Sequence, residues 1–212
     1  MARSCERKGD MMKMLILDMY GVIIKESKGN FIPYTRSHFP EVEHERLMQL
    51  FKKDRLFARS QLGELTSDEF LLALGYADTA RHMRDYIENY LTLDEGFCEF
   101  AEEAASKYRL ALLSNDVAEW SRYICEYHGL DKYFSAKIVS GDVGCRKPDA
   151  EIYRVALERL GVKGEDCVFV DNSVANLRAA VEFGMDVVLF NRDDEEFEGK
   201  VVYSFGELLE IL

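Results

Sequence analysis

The sequence lacks an uninterrupted apolar run of about eighteen residues, the length that a helix needs to cross a bilayer. Its N-terminal segment, residues 1–14, carries charged residues but no apolar stretch as long as that of a signal peptide. The five cysteines are odd in number and include no Cys-x-x-Cys pair, which favours reduced thiols. We therefore expect a cytoplasmic protein with no membrane partner.

The sequence also has few positively charged residues for its number of acidic ones. It contains 27 Lys and Arg against 39 Asp and Glu, which gives a formal net charge of −12. Binding to nucleic acid or to an anionic membrane surface requires a basic face, so we expect neither partner. Hydrophobic residues make up 48% of the chain and charged residues 31%, as is usual for a globular enzyme. The length of 212 residues suits one domain with a small insert, and it leaves the oligomeric state open.

Short apolar runs alternate with helical patterns along most of the chain. This alternation predicts an α/β fold, in which helices cover both faces of a mostly parallel, Rossmann-like sheet. The predicted strands are 14–17, 110–113, 136–139, 167–170, 186–190 and 201–203.

The stretch from 27 to 91 differs from the rest, because polar and aromatic residues recur there with helical periodicity. Thr66 and Glu69 have the spacing of a capping box, which predicts a helix that begins beside them. We interpret 27–91 as a helical insert after the first strand. Residues 12–26 and 92–212 then form the core.

Polar residues stand where several predicted strands end: Asp18, Ser114 with Asn115, and Asp171 with Asn172. Lys147 lies in a loop after another strand. Each has an ordinary explanation alone, as a helix cap, a turn or a solvated loop. Ligands of open α/β sheets bind at the carboxyl ends of the strands, so the four together predict a functional site.

The segments LILDMYGVI, LALLSND, RKPDAEIY and VFVDNSVANLRAA resemble the four motifs of the haloacid dehalogenase superfamily. They cover the core from 14 to about 190, and the insert resembles the small helical cap of that superfamily. The branch with sugar-phosphate phosphatases and the N-terminal domain of soluble epoxide hydrolase is the most similar. The resemblance implies a Mg²⁺-dependent hydrolase that acts on a small phosphorylated metabolite.

The chemistry of the strand-end residues agrees with that activity. The carboxylate of Asp18 can attack phosphorus and form an aspartyl phosphate. Mg²⁺ prefers oxygen ligands, which Asp18 and Asp171 can supply, and Lys147 can neutralise the developing charge. Ser114 and Asn115 can hold phosphoryl oxygens.

The resemblance adds three further residues to the predicted site. It implies the main-chain carbonyl of Tyr20 as a third metal ligand. It also implies Asn172 and Asn176 as residues that contact the metal ligands without binding the metal, although the simpler role of Asn172 is to cap the following helix.

Tyr20 marks a departure, because phosphatases of this superfamily usually carry a second Asp there to protonate the leaving oxygen. Tyrosine, with an unperturbed pKa near 10, is a poor base at neutral pH. We predict that Tyr20 is catalytic, but another group can also serve as the acid and base. Alternatively, the substrate has a good leaving group, as an acyl phosphate has.

Two other functions remain open. A metal-independent 2-haloacid dehalogenase has a D-x-Y-G-T motif, which Tyr20 fits, whereas Val22 in place of Thr and the retained Asp171 favour the phosphatase. A catalytically weak phosphate-binding or regulatory protein is the second alternative.

The insert offers candidates for substrate specificity, although each is also explained as part of a solvated helix face. The acidic run 193–196 is interpreted as a solvated loop. The candidates are Tyr34, Arg36, His38, His44, Arg55 and Arg59.

Overall fold

The computed structural model describes residues 12–212. Cys5 lies outside these residues. The segment 1–14, for which no signal peptide is predicted, lies mostly outside them. The strands are β1 (Lys13–Leu17), β2 (Tyr108–Ser114), β3 (Phe134–Val139), β4 (Cys167–Asp171), β5 (Asp186–Phe190) and β6 (Lys200–Val202).

Six α-helices lie between β1 and β2, and five more follow β2 in the described residues. The first six are α1 (Phe31–His38), α2 (Glu41–Lys52), α3 (Leu56–Ser60), α4 (Ser67–Leu74), α5 (Thr79–Tyr90) and α6 (Phe97–Ala104). The others are α7 (Ala118–Tyr127), α8 (Ser140–Val143), α9 (Ala150–Leu160), α10 (Val174–Val181) and α11 (Phe205–Ile211).

The six strands form one parallel sheet in the order β3-β2-β1-β4-β5-β6, which confirms the predicted fold class. In the register, Leu17 pairs with Leu112 on one side and with Val170 on the other. The polar residues that follow these pairs therefore come to the same edge of the sheet, as the sequence predicts.

The core lies on both faces of the sheet, and β1 contributes to both halves. Leu15 and Leu17 pack in one apolar cluster, and Met14 and Ile16 pack in the other. This division follows from the alternation of side chains along a strand. It explains why β1 is apolar throughout and not alternately polar, since helices bury both of its faces.

The helical insert is anchored to the core through Trp120 on α7. The indole Nε1–H donates to the hydroxyl of Ser67 at 2.7 Å, and the ring lies 4.9 Å from that of Phe31. Thr66 and Glu69 form the predicted capping box at the start of α4. The insert is therefore helical, as predicted, and the proposed division into a cap of 27–91 and a core stays a prediction.

Membrane-spanning helices were not expected from the sequence. Among residues 12–212, the helices are all too short or too polar to cross a bilayer.

Candidate active site

Three charged side chains meet at the carboxyl edge of the sheet, and we call Asp18, Lys147 and Asp171 the charged floor. Lys147 Nζ lies 2.7 Å from Asp18 Oδ1 and 2.7 Å from Asp171 Oδ2. The same ammonium donates to the carbonyl of Leu113 at 2.8 Å. Asp171 and Lys147 are buried with 0% and 1% of their surface exposed, and Asp18 with 7%.

Burial and mutual charge shape the electrostatics of the floor. Burial, with a further contribution from Asp171, raises the pKa of Asp18 to about 7, against the opposing effect of Lys147. Burial disfavours the charged form of Lys147, but the carboxylates of Asp171 and Asp18 outweigh it and raise its pKa. Lys147 is therefore held as a cation, and it neutralises only one of its two acidic neighbours.

Asp171 is fixed by hydrogen bonds from the residues that follow β4. Its Oδ1 accepts from the N–H of Ser173 at 2.8 Å, and the side-chain amide of Asn176 lies 3.1 Å from both carboxylate oxygens. Asn176 thus contacts a predicted metal ligand, and its supporting role stays a prediction. These contacts hold the carboxylate toward Lys147.

Ser114 and Asn115 follow each other at the end of β2 but have different surroundings. The hydroxyl of Ser114 is buried, and within residues 12–212 it has no hydrogen-bond partner. A buried polar group without a partner is costly, so this hydroxyl is suited to a ligand oxygen. The side chain of Asn115 instead accepts from the N–H of Lys147 at 2.8 Å and donates to its carbonyl at 2.9 Å.

Tyr20 lines the same cavity as Asp18 and Lys147, and it is affected by the carboxyl of Asp116, which was not predicted from the sequence. Burial, Asp116 and Tyr86 raise the pKa of Tyr20 well above its ordinary value. Burial also raises the pKa of Asp116 to about 7, although hydrogen bonds from the hydroxyl of Ser121 and the N–H of Val117 oppose that shift. The only signal for Asp116 in the sequence is its position directly after Ser114 and Asn115.

The side chain of Asn172 contacts the loop after β5. Its side-chain amide donates to Asp193 at 3.3 Å, and Asp193 also accepts from Ser27 at 2.9 Å. The interpretation of 193–196 as merely a solvated loop is thus incomplete, because Asp193 links this loop to Asn172. At Gly21, with φ +80°, a Cβ would lie 2.4 Å from the amide nitrogen of Asn172, so the close approach requires glycine.

A cavity of about 610 Å³ opens above the floor, between the sheet edge and the insert. One side of the cavity is apolar and consists of residues of α1, α2 and α3. We call these residues the apolar wall: Ile32, Met48, Phe51 and Phe57. Three cations also line the cavity: Lys28, Lys52 and Arg146. None of the six specificity candidates from the insert lines it.

Gln61 connects the insert to the loop of Lys147. Its side chain accepts from Arg146 at 3.0 Å and donates to the carbonyl of Asn115 at 3.2 Å. Sequence reasoning missed Gln61, since nothing marks one polar residue in a polar insert, whereas Arg146 is marked by its place directly before Lys147.

The parallel sheet, with a charged site at the carboxyl ends of its strands, has the arrangement of ligand-binding α/β proteins. Residues 12–184 match the family model described as haloacid dehalogenase-like hydrolase, so the chain belongs to this family. This confirms the resemblance seen in the four motifs.

Two of the curated relatives that match about half of this chain are a phosphatase and a dehalogenase. A phosphoserine phosphatase of Thermus thermophilus is 34% identical over 114 residues, which cover 52% of this chain and 46% of the relative. The (S)-2-haloacid dehalogenase 4A of Burkholderia cepacia is 33% identical over 101 residues, covering 48% and 42%. The first curated relatives that match are longer than this chain, which spans between 35% and 54% of their length.

A solved structure of a family enzyme from Bacteroides thetaiotaomicron, in complex with magnesium and inorganic phosphate, has the same fold. Its TM-score is 0.73 at 20% sequence identity, and the match covers 87% of this chain and 96% of the other.

Proposed function

We propose that the protein is a Mg²⁺-dependent phosphatase that hydrolyses a small phosphorylated metabolite through an aspartyl phosphate on Asp18. The observation that carries this proposal is the contact of Lys147 with both Asp18 and Asp171, buried below a cavity. Support also comes from the relative named phosphoserine phosphatase and from the similar structure with magnesium and phosphate.

The first step is the attack of Asp18 on phosphorus. Oδ1 accepts from the N–H of Met19 and contacts Lys147, both at 2.7 Å, so Oδ2 is the oxygen that remains for attack. A bond forms between Oδ2 and phosphorus as the bond from phosphorus to the leaving oxygen breaks. Lys147 and the unpartnered hydroxyl of Ser114 stabilise the charge on the phosphoryl oxygens.

The second step is the attack of water on the phosphorus of the aspartyl phosphate. A bond forms between the water oxygen and phosphorus as the bond between Oδ2 and phosphorus breaks. Both protons of the water leave with inorganic phosphate as dihydrogen phosphate, and Asp18 returns as a carboxylate. The division into two steps is the general advantage of covalent catalysis.

The residues of the floor fit a magnesium ion. Asp18 and Asp171 are hard oxygen donors, and together they carry one more negative charge than Lys147 neutralises. These two carboxylates and the carbonyl of Tyr20 would hold the ion. When bound, Mg²⁺ reduces the repulsion between the attacking carboxylate and the phosphate group.

The leaving oxygen has no carboxyl beside it at position 20. The raised pKa of Tyr20 makes its hydroxyl a weak acid and an unsuitable base. We therefore propose that the enzyme prefers substrates whose leaving group needs little protonation, such as acyl and aryl phosphates. Its rate should rise as the pKa of the leaving alcohol or acid falls.

The 2-haloacid dehalogenase is the second candidate, and Tyr20 together with the dehalogenase relative favours it. A halide leaves without a proton, so such an enzyme needs no acid at position 20. A second buried carboxylate at Asp171 would then oppose the binding of an anionic haloacid. Bound Mg²⁺ would offset this electrostatic cost in a phosphatase, which is why we favour the phosphatase over the metal-independent dehalogenase.

The test measures phosphate release from acetyl phosphate, p-nitrophenyl phosphate and a sugar phosphate, with Mg²⁺ or EDTA. Halide release from 2-chloropropionate is measured in the same samples. We expect Mg²⁺-dependent phosphate release that Asp18→Asn abolishes. Halide release that persists in EDTA, without phosphate release, would identify the dehalogenase, and absence of both activities would contradict the proposal.

A further inference from the structure

Two histidines and an aspartate come together on the insert, where α1 ends against α5. One ring nitrogen each of His38 and His82 and one carboxylate oxygen of Asp85 lie within 4.8 Å of one another. His38 Nε2 is 3.5 Å from Asp85 Oδ2. None of the three residues lines the cavity above the charged floor, so this cluster is separate from the proposed active site.

The hydrogen bonds of His38 assign its tautomer. Its Nδ1 lies 2.9 Å from the backbone carbonyl of Tyr34, which can only accept, so the proton is on Nδ1. In the neutral ring this leaves the lone pair on Nε2, the atom that faces Asp85. A ring nitrogen that donates to a backbone carbonyl is the usual support of a metal-binding histidine.

His82 is oriented by the same residue. The hydroxyl of Tyr34 lies 2.7 Å from His82 Nδ1 and 3.1 Å from the carbonyl of His82. Because Nδ1 is engaged by this hydroxyl, Nε2 is the ring nitrogen of His82 that is left for a ligand. Buried Tyr34 therefore contacts both imidazoles through their Nδ1 atoms.

We propose that His38, His82 and Asp85 form a binding site for a divalent transition metal ion of the zinc type. Two imidazole nitrogens and one carboxylate oxygen are donors that Zn²⁺ accepts, with water as the fourth ligand. The ion would join the last residue of α1 to the middle of α5. Because Ile32 on α1 and Tyr86 on α5 line the cavity, bound metal would also hold two of its walls together.

The experiment titrates Zn²⁺ into the metal-stripped full-length protein by calorimetry, with excess Mg²⁺ present to occupy the charged floor. Co²⁺ serves as a spectroscopic probe, since its visible absorption reports nitrogen ligands. We expect one Zn²⁺ per chain with a Kd on the order of micromolar or tighter, and a raised Tm in the presence of Zn²⁺. His38→Asn and Asp85→Asn should each weaken binding at least about 10-fold.

His44→Asn is the matched control, because His44 lies on α2 and contacts the carbonyls of Arg36 and Phe39. It should bind Zn²⁺ as the unaltered protein does. His38 and Asp85 are partly exposed, so their variants are expected to fold, which circular dichroism checks. Either absence of Zn²⁺ binding or equal binding by His38→Asn and His44→Asn would overturn the proposal.

Discussion

Asp18 and Lys147 of the charged floor line the same cavity as the apolar wall, yet the floor and the wall are built in opposite ways. Asp18, Lys147 and Asp171 are buried and are tied to each other and to the backbone by short hydrogen bonds. The two acids lie at strand ends, and Lys147 lies in the loop between α8 and α9. The wall comes from three helices, and Ile32 is 41% exposed.

This difference separates two tasks. A preorganised charged site stabilises a transition state because its dipoles and charges need not reorient. An apolar surface that is exposed before binding gains free energy when a substrate covers it, whatever the reaction. We therefore expect changes in the floor to affect turnover and changes in the wall to affect substrate affinity.

Lys147→Met should have the largest effect, because it leaves two carboxylates buried together without their cation. We expect turnover to fall at least about 1,000-fold, and the free energy of unfolding to fall by about 3–5 kcal/mol unless one acid takes up a proton. Steady-state kinetics and urea denaturation measure both. Lys163→Met, at a residue 80% exposed, is the control and should change neither.

Gly21→Ala should have the second largest effect, because it disrupts the close approach of the loop after β1 to Asn172. The added methyl group meets Asn172 at 2.4 Å, on a backbone with φ +80°. We expect a loss of about 3 kcal/mol in the free energy of unfolding. Gly129→Ala separates the two causes, since φ there is +66° but nothing lies within 4 Å. Equal losses in the two variants would mean that the contact with Asn172 has no energetic role.

Ile32→Asn tests the wall alone. The substitution places a polar side chain where an apolar substrate group would pack, so KM for p-nitrophenyl phosphate should rise about 10-fold with kcat nearly unchanged. Ile211→Asn is the control, because Ile211 is also 41% exposed and lies on α11. A fall in kcat without a change in KM would contradict the separation of tasks.

Asp116→Asn should have the smallest effect, which is a change in how the free energy of unfolding depends on pH. Burial raises the pKa of Asp116 from 3.8 to about 7, so the native protein keeps this proton to higher pH than the unfolded chain. Ionisation therefore favours unfolding, and stability falls as pH rises through this window. Asparagine has no proton to lose, so the variant should lose less stability between about pH 4 and about pH 7.

Urea denaturation at several pH values compares Asp116→Asn with Asp142→Asn, a surface residue that contacts Arg122. Identical pH dependence in these two variants would mean that Asp116 is ionised in the native protein throughout the window.

The residues of the charged floor could be predicted from the sequence, but those of the apolar wall could not. The physical reason is that the acids of the floor end strands, whereas the wall consists of helix faces. Parallel strands bring their carboxyl ends to one edge, so the two acids of the floor, Asp18 and Asp171, are expected to meet there because each ends a predicted strand. Helical periodicity shows which face of α1 or α2 is apolar, but not whether that face meets the core or the cavity. Ile32 and Met48 could therefore not be chosen in advance.

The histidine cluster shows the same limit. His82 and Asp85 are three residues apart on α5, a spacing that places them on one face. His38 joins them only because α1 packs on α5, and nothing in its own segment indicates that contact. The sequence analysis accordingly named His38 as a specificity candidate, whereas the structure places it outside the cavity.

The most direct test of the central proposal is a rapid acid quench of the Mg²⁺-loaded enzyme during turnover of acetyl phosphate or p-nitrophenyl phosphate. Mass spectrometry of the proteolytic peptides then locates any covalent phosphoryl group. We predict phosphorylation of the peptide that contains Asp18, formed within one turnover and absent from Asp18→Asn. Turnover without phosphorylation of that peptide, or phosphorylation of another residue, would contradict an aspartyl-phosphate mechanism on Asp18.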